Sequence, residues 1–463
     1  MDYFLTVFSI FTILGIFLFA LDDIFLDLAA LILKARPTPL IPQELKKMHR
    51  APKKRFAILI ANWKEEEVLE RMVQGNLSHL SYSDFRIFLG VYPNDAPTWE
   101  AAKRLERRYS KVSVIMNHLK GPTSKGQLLN EMARKIIASE RKPKLQYDAF
   151  LLQDSEDLIH PESLYLLNWE LNQADFVQIP VFSLEVPHWD LTAGTYADEF
   201  AESHTKNLLV REKLGAAVPS AGVGTAISRS LLFAIQEKMH GNFLNEATLT
   251  EDYQLGIMAH RLGFKTRFSC RYLTSPSAGR DYIATREFFP EKISTSIRQK
   301  TRWTAGIAFQ GTKSIGWSGQ LIDRYFFWRD RRGPLNGVLM SACLLLLGIF
   351  LVHYLLSGES RDPVQKSFLS YFLAANSLQM SWRLLARLRC SVRVYGWSFA
   401  ILMPARWMLA NFINTIAAWK AYRSYHASVR SGQPMAWVKT MHRLPSGFGA
   451  SKKTLGTKEK VSA

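Results

Sequence analysis

The sequence predicts an α/β domain with a mostly parallel sheet, flanked by transmembrane and interfacial helices. Two observations predict this fold class. Between Arg55 and Ser269, short apolar runs alternate with amphipathic stretches of helical length, which is typical of repeated βαβ units. Long apolar stretches with few charges lie towards both ends of the 463-residue chain, which is long enough for more than one structural unit.

Five apolar runs are predicted as strands and four amphipathic stretches as the helices that connect them. The strands are placed at residues 56–61, 86–92, 112–116, 149–153 and 176–181, and the helices at residues 65–74, 97–109, 126–138 and 161–173. In this order they form a Rossmann-like sheet, and ligands bind such sheets beyond the carboxyl ends of the strands. The α/β domain is assigned to residues 50–275.

The first apolar stretch, residues 3–21, is long enough to cross a membrane once at the helical rise of ~1.5 Å per residue. It begins after Asp2 and runs into Asp22 and Asp23, without the basic start and the cleavage site of a signal peptide. Residues 1–34 are therefore predicted to be an uncleaved anchor. Basic residues follow it, which places the next domain in the cytosol by the positive-inside rule.

Residues 335–356 are predicted as a second span, and residues 368–385 and 394–419 are weaker apolar stretches interrupted by Arg383 and Arg406. If both weaker stretches crossed the membrane, the basic tail would lie outside, so one of them is expected to be interfacial or re-entrant. The predicted segments are interfacial helices at residues 276–333, transmembrane and interfacial helices at residues 334–430, and a basic, largely disordered tail at residues 431–463.

Positive charge exceeds negative charge, with 59 Lys and Arg residues against 40 Asp and Glu residues and a net charge of +19. Such an excess suits a nucleic acid, an anionic lipid or a phosphorylated substrate as partner. Basic residues cluster after the apolar stretches, which is a membrane pattern, so membrane lipid is predicted as a partner and nucleic acid is not. The three cysteines form no motif of a zinc site or a disulfide framework.

Acidic residues follow the predicted strand at residues 149–153. Asp154, Glu156 and Asp157 therefore come to the sheet edge where ligands bind. Three carboxylates this close repel one another, and Mg²⁺ or Mn²⁺ bridging them to a diphosphate would relieve the repulsion. An acidic turn taken alone is more often simply solvated, so the metal site depends on what the rest of the chain supplies.

Two further segments have both a structural and a functional interpretation. Thr250 or Asp252 can cap the helix that follows, or Asp252 can act as a general base towards an acceptor hydroxyl. Residues 222–225 contain two glycines, which either let the backbone approach a sugar closely or form an ordinary turn.

A third segment contains Gln299, Arg302 and Trp303, and on its own it indicates an interfacial helix with an aromatic anchor. In chain order, the acids after Gln153, the Thr-Glu-Asp sequence ending at Asp252 and this segment resemble the Asp-x-Asp, Thr-Glu-Asp and Gln-x-x-Arg-Trp motifs of family-2 glycosyltransferases. The resemblance is to the processive, membrane-bound members, such as cellulose, chitin and hyaluronan synthases. Chance agreement of all three motifs in this order is improbable.

Over residues from about 21 to about 445 the chain also resembles the glycosyltransferase part of the bacteriophage adsorption protein B family. This resemblance rests on residues 21–23, 91–95, 121–125, 219–225 and 325–330. Longer members continue into a C-terminal regulatory domain, and control through such a domain is not expected here.

The resemblance implies a GT-A catalytic domain and a role for each matching residue. It places Glu65 and Asp95 at the uracil and ribose of a nucleotide-sugar donor, Lys125 near the diphosphate, Asp154 with Glu156 or Asp157 at nucleotide and metal, Glu251 and Asp252 at the catalytic centre with Asp252 as the base, Gln299 and Arg302 at the substrate, and Trp303 against the acceptor sugar. Two positions depart from the family pattern: Lys64 replaces an Asn, and Glu156 replaces the second Asp of the metal motif.

The activity implied is inverting, metal-dependent transfer of a hexose or N-acetylhexosamine from a UDP-sugar to a growing cell-surface polysaccharide. The enzyme would be a multi-pass protein of the bacterial inner membrane with a cytosolic catalytic domain, a glycan acceptor and an outer-membrane export partner. The alternative is a non-catalytic membrane assembly or phage-receptor support protein that retains the fold. A transporter without transferase chemistry fits poorly, because most of the chain has a soluble α/β pattern.

Overall fold

A seven-stranded sheet lies at the centre of the computed structural model, which describes residues 2–140, 146–275, 279–358, 367–433 and 435. The strands are β1 (Thr38–Pro39), β2 (Phe56–Ala61), β3 (Phe85–Val91), β4 (Val112–Met116), β5 (Ala149–Gln153), β6 (Leu158–Ile159), β7 (Phe176–Gln178), β8 (Val181–Ser183), β9 (Thr225–Ser228), β10 (Thr266–Phe268), β11 (Arg271–Ser275), β12 (Gly279–Tyr282) and β13 (Thr285–Glu287). The central sheet has the order β10-β7-β9-β5-β2-β3-β4. Two three-stranded sheets, β1-β11-β12 and β6-β13-β8, lie beside it.

Helices surround the central sheet and extend beyond it. They are α1 (Asp2–Ile32), α2 (Pro42–Arg50), α3 (Leu69–His79), α4 (Ala96–Arg108), α5 (Lys125–Ser139), α6 (Ser163–Glu170), α7 (Leu191–Glu202), α8 (Leu208–Lys213), α9 (Arg229–Lys238), α10 (Glu251–Arg261), α11 (Ile293–Thr304), α12 (Gly311–Ser314), α13 (Leu321–Arg331), α14 (Gly333–Ser357), α15 (Ser367–Ala400) and α16 (Met403–Ser431). Short π-helical turns, Ser203–Asn207 and Ala305–Gln310, continue α7 and α11.

The predicted fold class is confirmed, because the strand pairs within β2, β3, β4 and β5 and the pair of β7 with β10 are parallel. Two strands of the central sheet, β9 and β10, were missed, and so were β1, β6, β11, β12 and β13 of the two smaller sheets. β9 lies between β5 and β7 and is antiparallel to both. It is only four residues long and follows a glycine-rich loop, so the sequence carries little periodic signal for it.

The strand predicted at residues 176–181 is two strands in two different sheets. Pro180 lies between β7 and β8, and because proline has no N–H it cannot continue the ladder. The predicted helix at residues 65–74 begins later, at Leu69, because the preceding loop turns sharply at Lys64, which has a φ of 55°.

The core lies on both faces of the sheet. Alternate residues of β2 belong to different apolar clusters: Leu59 packs with the side of α5, and Ile58 packs with the side of α3, α4 and α6. Both faces are therefore covered, which explains the continuous apolar runs that predicted these strands.

Within the described residues, two helices are long and apolar enough to cross a membrane, Tyr3–Ile32 and Gly333–Ser357. They contain the two stretches that the sequence predicted as spans. The weaker apolar stretches fall in α15 and α16, and neither meets the same criteria of length, hydropathy and charge within the described residues. The segment boundaries stay a prediction, and nearly all of the basic tail predicted at residues 431–463 lies outside the described residues.

A network of partly buried ion pairs ties the end of the first apolar helix to the rest of the chain. Arg332 approaches Asp22 at 2.5 Å and Asp23 at 2.6 Å, and Arg329 pairs with the same two carboxylates. Arg383, which interrupts an apolar stretch, lies 3.3 Å from Asp23. These charged residues, which lie at the end of or within apolar stretches of the sequence, thus join α1, α13 and α15 through ion pairs.

A fully buried ion pair, Arg406 with Asp198, joins α7 to α16. Arg406 is 0% exposed, and its Nε donates to Asp198 Oδ2 at 2.7 Å. We expect Arg406→Met to lower stability by about 3–5 kcal/mol, because Asp198 would remain as an uncompensated buried charge. The thermal unfolding midpoint in detergent measures this effect, and Arg430→Met, at an exposed position near the end of the same helix, should leave it unchanged.

Candidate active site

A cleft opens where the carboxyl ends of β2, β3 and β5 lie side by side in the sheet. It contains about 1050 Å³ of space, its open mouth included. The first turns of α5 and α10 and one face of α11 complete its wall. Its polar lining residues are Asn62, Glu65, Thr123, Lys125, Asp154, Ser155, Glu156, Thr250, Glu251, Asp252, Glu287, Gln299 and Arg302.

The cleft brings together residues that are as far apart in sequence as Glu65 and Trp303. All the site residues predicted from the sequence line it except Asp95 and Asp157. Parallel strands and helix N-termini meet at one edge of the sheet, and this topology explains how such distant segments converge.

The acidic loop after β5 presents two carboxylates to the cleft, those of Asp154 and Glu156. Asp154 Oδ1 lies 2.5 Å from Lys125 Nζ, which extends from the first residue of α5. Asp157 is turned inward instead, and its Oδ2 accepts a hydrogen bond from Asp154 N at 2.6 Å. Burial raises the pKa of Asp157, and the carboxylates of Glu287, Asp154 and Glu156 raise it further.

Asp95 stabilises the loop after β2 through a hydrogen bond to the backbone of that loop. Asp95 is buried, and its Oδ2 accepts a hydrogen bond from Lys64 N at 2.6 Å. Lys64 adopts a left-handed φ of 55°, a conformation that Asn tolerates better than Lys. The loop conformation leaves Glu65 at the cleft wall, with its backbone N–H donating to Thr98 Oγ1 at 2.9 Å.

The first two residues of α10, Glu251 and Asp252, carry the second acidic pair. A helix N-terminus favours negative charge, which suits both carboxylates. Gly222, with a φ of 84°, passes directly over Asp252, and a Cβ built on it would overlap Asp252 Oδ2. Gly222 therefore makes room for a cleft carboxylate, whereas a Cβ on Gly224 would approach Thr285 and Ile179 instead.

Burial and neighbouring charges shift the pKa values of Glu251, Asp252 and Lys125. Burial raises the pKa of Glu251 to about 7, the Asp252 carboxylate adds to this rise, and Lys125 opposes it. Burial also raises the pKa of Asp252, against the charges of Lys125 and Arg302. Burial disfavours the charged form of Lys125, but the carboxylates of Asp154, Glu251 and Asp252 outweigh it and raise the pKa of the amine. The cleft thus holds carboxylates able to accept a proton near neutral pH.

One face of α11 closes the cleft with Gln299, Arg302 and Trp303. Gln299 Oε1, Arg302 Nε and Thr250 Oγ1 are buried and have no hydrogen-bond partner among the described residues. Buried polar atoms without partners are costly, so their presence around one cleft indicates that a polar ligand completes them. Trp303 is held edge-on against Tyr196, with ring centroids 5.9 Å apart.

Residues 52–306 match the model of a known protein family, described as glycosyltransferase like family 2. This chain belongs to glycosyltransferase family 2. Bacteriophage adsorption protein B of Escherichia coli (strain K12) is 33% identical, over 94% of this chain and 61% of its own length. Bacteriophage N4 adsorption protein B of Escherichia coli O157:H7 gives the same values, so the chain spans 61% of the length of these curated relatives.

The fold of this glycosyltransferase is also that of a solved enzyme. Mannosyltransferase PcManGT from Pyrobaculum calidifontis, in complex with GDP-Man and Mn²⁺, is similar with a TM-score of 0.52 at 12% identity, over 90% of this chain and 99% of that chain. At this identity the likeness shows the fold. Family and fold together confirm the predicted GT-A class and the predicted enzyme class.

Several residues that line the cleft of this glycosyltransferase were not predicted from the sequence, among them Trp63, Tyr92 and Glu287. Trp63 and Tyr92 pack edge to face with centroids 5.3 Å apart. Trp63 follows β2 and Tyr92 follows β3, two strands that the sequence predicted, so the rule that placed Asp154 could have found them. Glu287 ends β13, a three-residue strand with no motif around it, and no sequence signal indicated it.

Proposed function

We propose that this glycosyltransferase moves a hexose or N-acetylhexosamine from a UDP-sugar to a growing cell-surface polysaccharide, with inversion at the anomeric carbon. One observation carries the proposal: Asp154, Lys125, Asp252 and Arg302 face a single cleft. The cleft places the positive charges of Lys125 and Arg302, which can bind a diphosphate, in the same space as the Asp252 carboxylate, which can accept a proton from a hydroxyl. Three uncompensated polar atoms at its wall support a polar ligand.

The diphosphate end is assigned to the sheet edge. Lys125 and Arg302 counter phosphate charge, and Asp154 and Glu156 supply the oxygen ligands that Mg²⁺ or Mn²⁺ prefers. Among the described residues there is no group of three or more such ligands, which fits an ion held by one or two carboxylates together with substrate phosphates. A bound divalent ion would stabilise the negative charge of the departing diphosphate.

The acceptor end is assigned to α10 and α11. Asp252 takes the proton of the acceptor hydroxyl while the hydroxyl oxygen forms a bond to the anomeric carbon of the donor sugar. The bond between that carbon and the diphosphate breaks at the same time, and UDP leaves. Trp303 offers an aromatic face to the acceptor sugar. Trp63 and Tyr92 offer rings near Glu65 for the nucleotide base.

The membrane setting is the bacterial inner membrane, with the cleft in the cytosol and an outer-membrane partner for export. Two apolar helices of spanning length support this setting, and so do the basic residues that follow the first of them. The number of spans between residues 334 and 430 is part of the proposal.

Metal removal provides the first test. Membranes containing the protein should release UDP from at least one member of a panel of UDP-sugars, and a chelator should stop the release. Adding Mg²⁺ or Mn²⁺ should restore it, and Asp154→Ala should require far more metal for the same rate. Release that is equally fast in the chelator would contradict the metal assignment, and no release from any UDP-sugar would contradict the donor.

The pH dependence provides the second test. Asp252 works as a base in its ionised form, so kcat/KM should fall as pH is lowered through the pKa of Asp252, which burial raises above the usual value of an aspartate. Glu251→Gln should move this fall to lower pH, because removing a neighbouring negative charge lowers the pKa of Asp252. A profile that Glu251→Gln leaves unchanged would contradict the coupling of the two acids.

A further inference from the structure

A second groove lies between α11 and the C-terminal part of α16, outside the cleft. Its lining includes Ser294, Arg298, Thr301, Lys420, Arg423 and Ser424, and it contains about 1040 Å³ of space, its open mouth included. None of these lining residues also lines the cleft, and only Thr301 among them falls within the Gln-x-x-Arg-Trp segment, at one of its variable positions.

The groove carries three positively charged side chains. Arg298, Lys420 and Arg423 form no ion pair with a carboxylate among the described residues, whereas Lys300 on the same helix is paired with Glu199 at 2.6 Å. Within the part of the chain that the structure describes, no acidic side chain lines the groove. Guanidinium groups match phosphate oxygens with paired hydrogen bonds, and the hydroxyls of the lining residues add further donors. A phosphate group is therefore the chemistry that the groove fits.

The groove lies at the level where an apolar helix begins. Gly337 is one turn from the start of α14 at Gly333, or ~6 Å along the helix, and a Cβ on it would lie 3.0 Å from Ala418 Cβ. Trp419 Nε1 donates to Ser341 Oγ of the same helix at 3.0 Å. Lys420 directly follows these contacts, so the groove is near the end of α14 that joins the soluble domain.

Aromatic side chains beside the groove are exposed, as at a membrane interface. Trp419 is 45% exposed and Tyr422 46% exposed, and both flank Lys420. Tryptophan and tyrosine favour the headgroup region of a bilayer, and basic residues there attract anionic lipids. A lipid headgroup fits these surroundings better than a free phosphate ion, which gains nothing from exposed rings.

We propose that this groove binds the phosphate headgroup of an anionic membrane lipid and that the bound lipid holds α11 in position for transfer. The effect on transfer rests on the proposed function, whereas the binding does not. Ser294, Arg298 and Thr301 are spaced by four and three residues on one face of α11, while Gln299 and Arg302 line the cleft from the adjacent face. A lipid bridging α11 and α16 therefore supports the wall of the active site without touching substrate.

The test compares two triple variants of the full chain that lose the same charge. Arg298→Gln, Lys420→Gln and Arg423→Gln empty the groove of cations, and Arg107→Gln, Arg108→Gln and Lys238→Gln remove exposed cations elsewhere. Phosphatidylglycerol retained by the purified protein is measured by native mass spectrometry. UDP release is measured in bilayers of phosphatidylcholine alone and of equimolar phosphatidylcholine and phosphatidylglycerol.

The groove variant should bind phosphatidylglycerol on the order of 100-fold more weakly, at roughly fivefold per cation, and should lose the stimulation of UDP release by phosphatidylglycerol. The wild type and the matched variant should keep both. Equal retention of the lipid by both variants would overturn the proposal, and so would displacement of the lipid by inorganic phosphate at similar concentration. Absence of UDP release in every bilayer would count against the proposed function alone, because lipid retention still reports on the groove.

Discussion

Asp252→Asn is expected to reduce sugar transfer by about 10²–10⁴-fold, the range typical of a lost general base. The carboxylate lies in the cleft at the start of α10, and Asn cannot accept the hydroxyl proton. The fold should survive, because the side-chain oxygen that accepts from Tyr253 N at 2.8 Å is retained in Asn. UDP release from membranes, measured with the preferred UDP-sugar, gives the rate, and thermal unfolding shows that the variant is folded.

Asp190→Asn is a matched control, because Asp190 caps the N-terminus of α7 but lies outside the cleft lining. It should release UDP at the wild-type rate. Transfer by Asp252→Asn within a few-fold of wild type would exclude Asp252 as the base. In cells, loss of surface glycan together with phage adsorption would support the enzyme, whereas adsorption that persists without transfer would favour an assembly or receptor-support role.

Local periodicity predicted the parallel strands β2 to β5, and strand-end chemistry placed the acids after β5, whereas most of the other cleft residues were expected only from the resemblance to family-2 glycosyltransferases. Asp154 was placed at the sheet edge because it follows a buried apolar strand, and the structure places it in the cleft beside Lys125. Sequence could not distinguish Glu156 from Asp157, because two neighbouring residues on a turn point in directions that only the hydrogen bonding of the loop determines. The bond from Asp154 N to Asp157 turns Asp157 inward.

The features that sequence reasoning missed depend on contacts between distant segments. Asp95, expected at the nucleotide, accepts a hydrogen bond from Lys64 N and does not line the cleft. Glu287 reaches the cleft through a small sheet made of three segments far apart in the chain, and no local pattern predicts such pairing. Arg383 and Arg406 disturbed the apolar stretches in the sequence, and their buried carboxylate partners explain why they are tolerated there.

Gly222→Ala is expected to reduce transfer about 100-fold while leaving the protein folded. The new Cβ would overlap Asp252 Oδ2, so the carboxylate must move, and displacement of a reacting group by about 1 Å can cost a factor of this size. UDP release and the thermal midpoint are measured on the same preparation. Because Gly222 has a φ of 84°, alanine also brings a backbone cost of about 1–2 kcal/mol that has nothing to do with Asp252.

Gly215→Ala separates the two effects. Gly215 has a similar φ of 75°, but nothing lies within 4 Å of a Cβ built there. Both variants should therefore lose similar stability, and only Gly222→Ala should lose transfer. Equal losses of transfer would assign the effect to backbone strain. A loss confined to Gly222→Ala would show instead that the glycine is required because the Asp252 carboxylate occupies the space that a side chain would need.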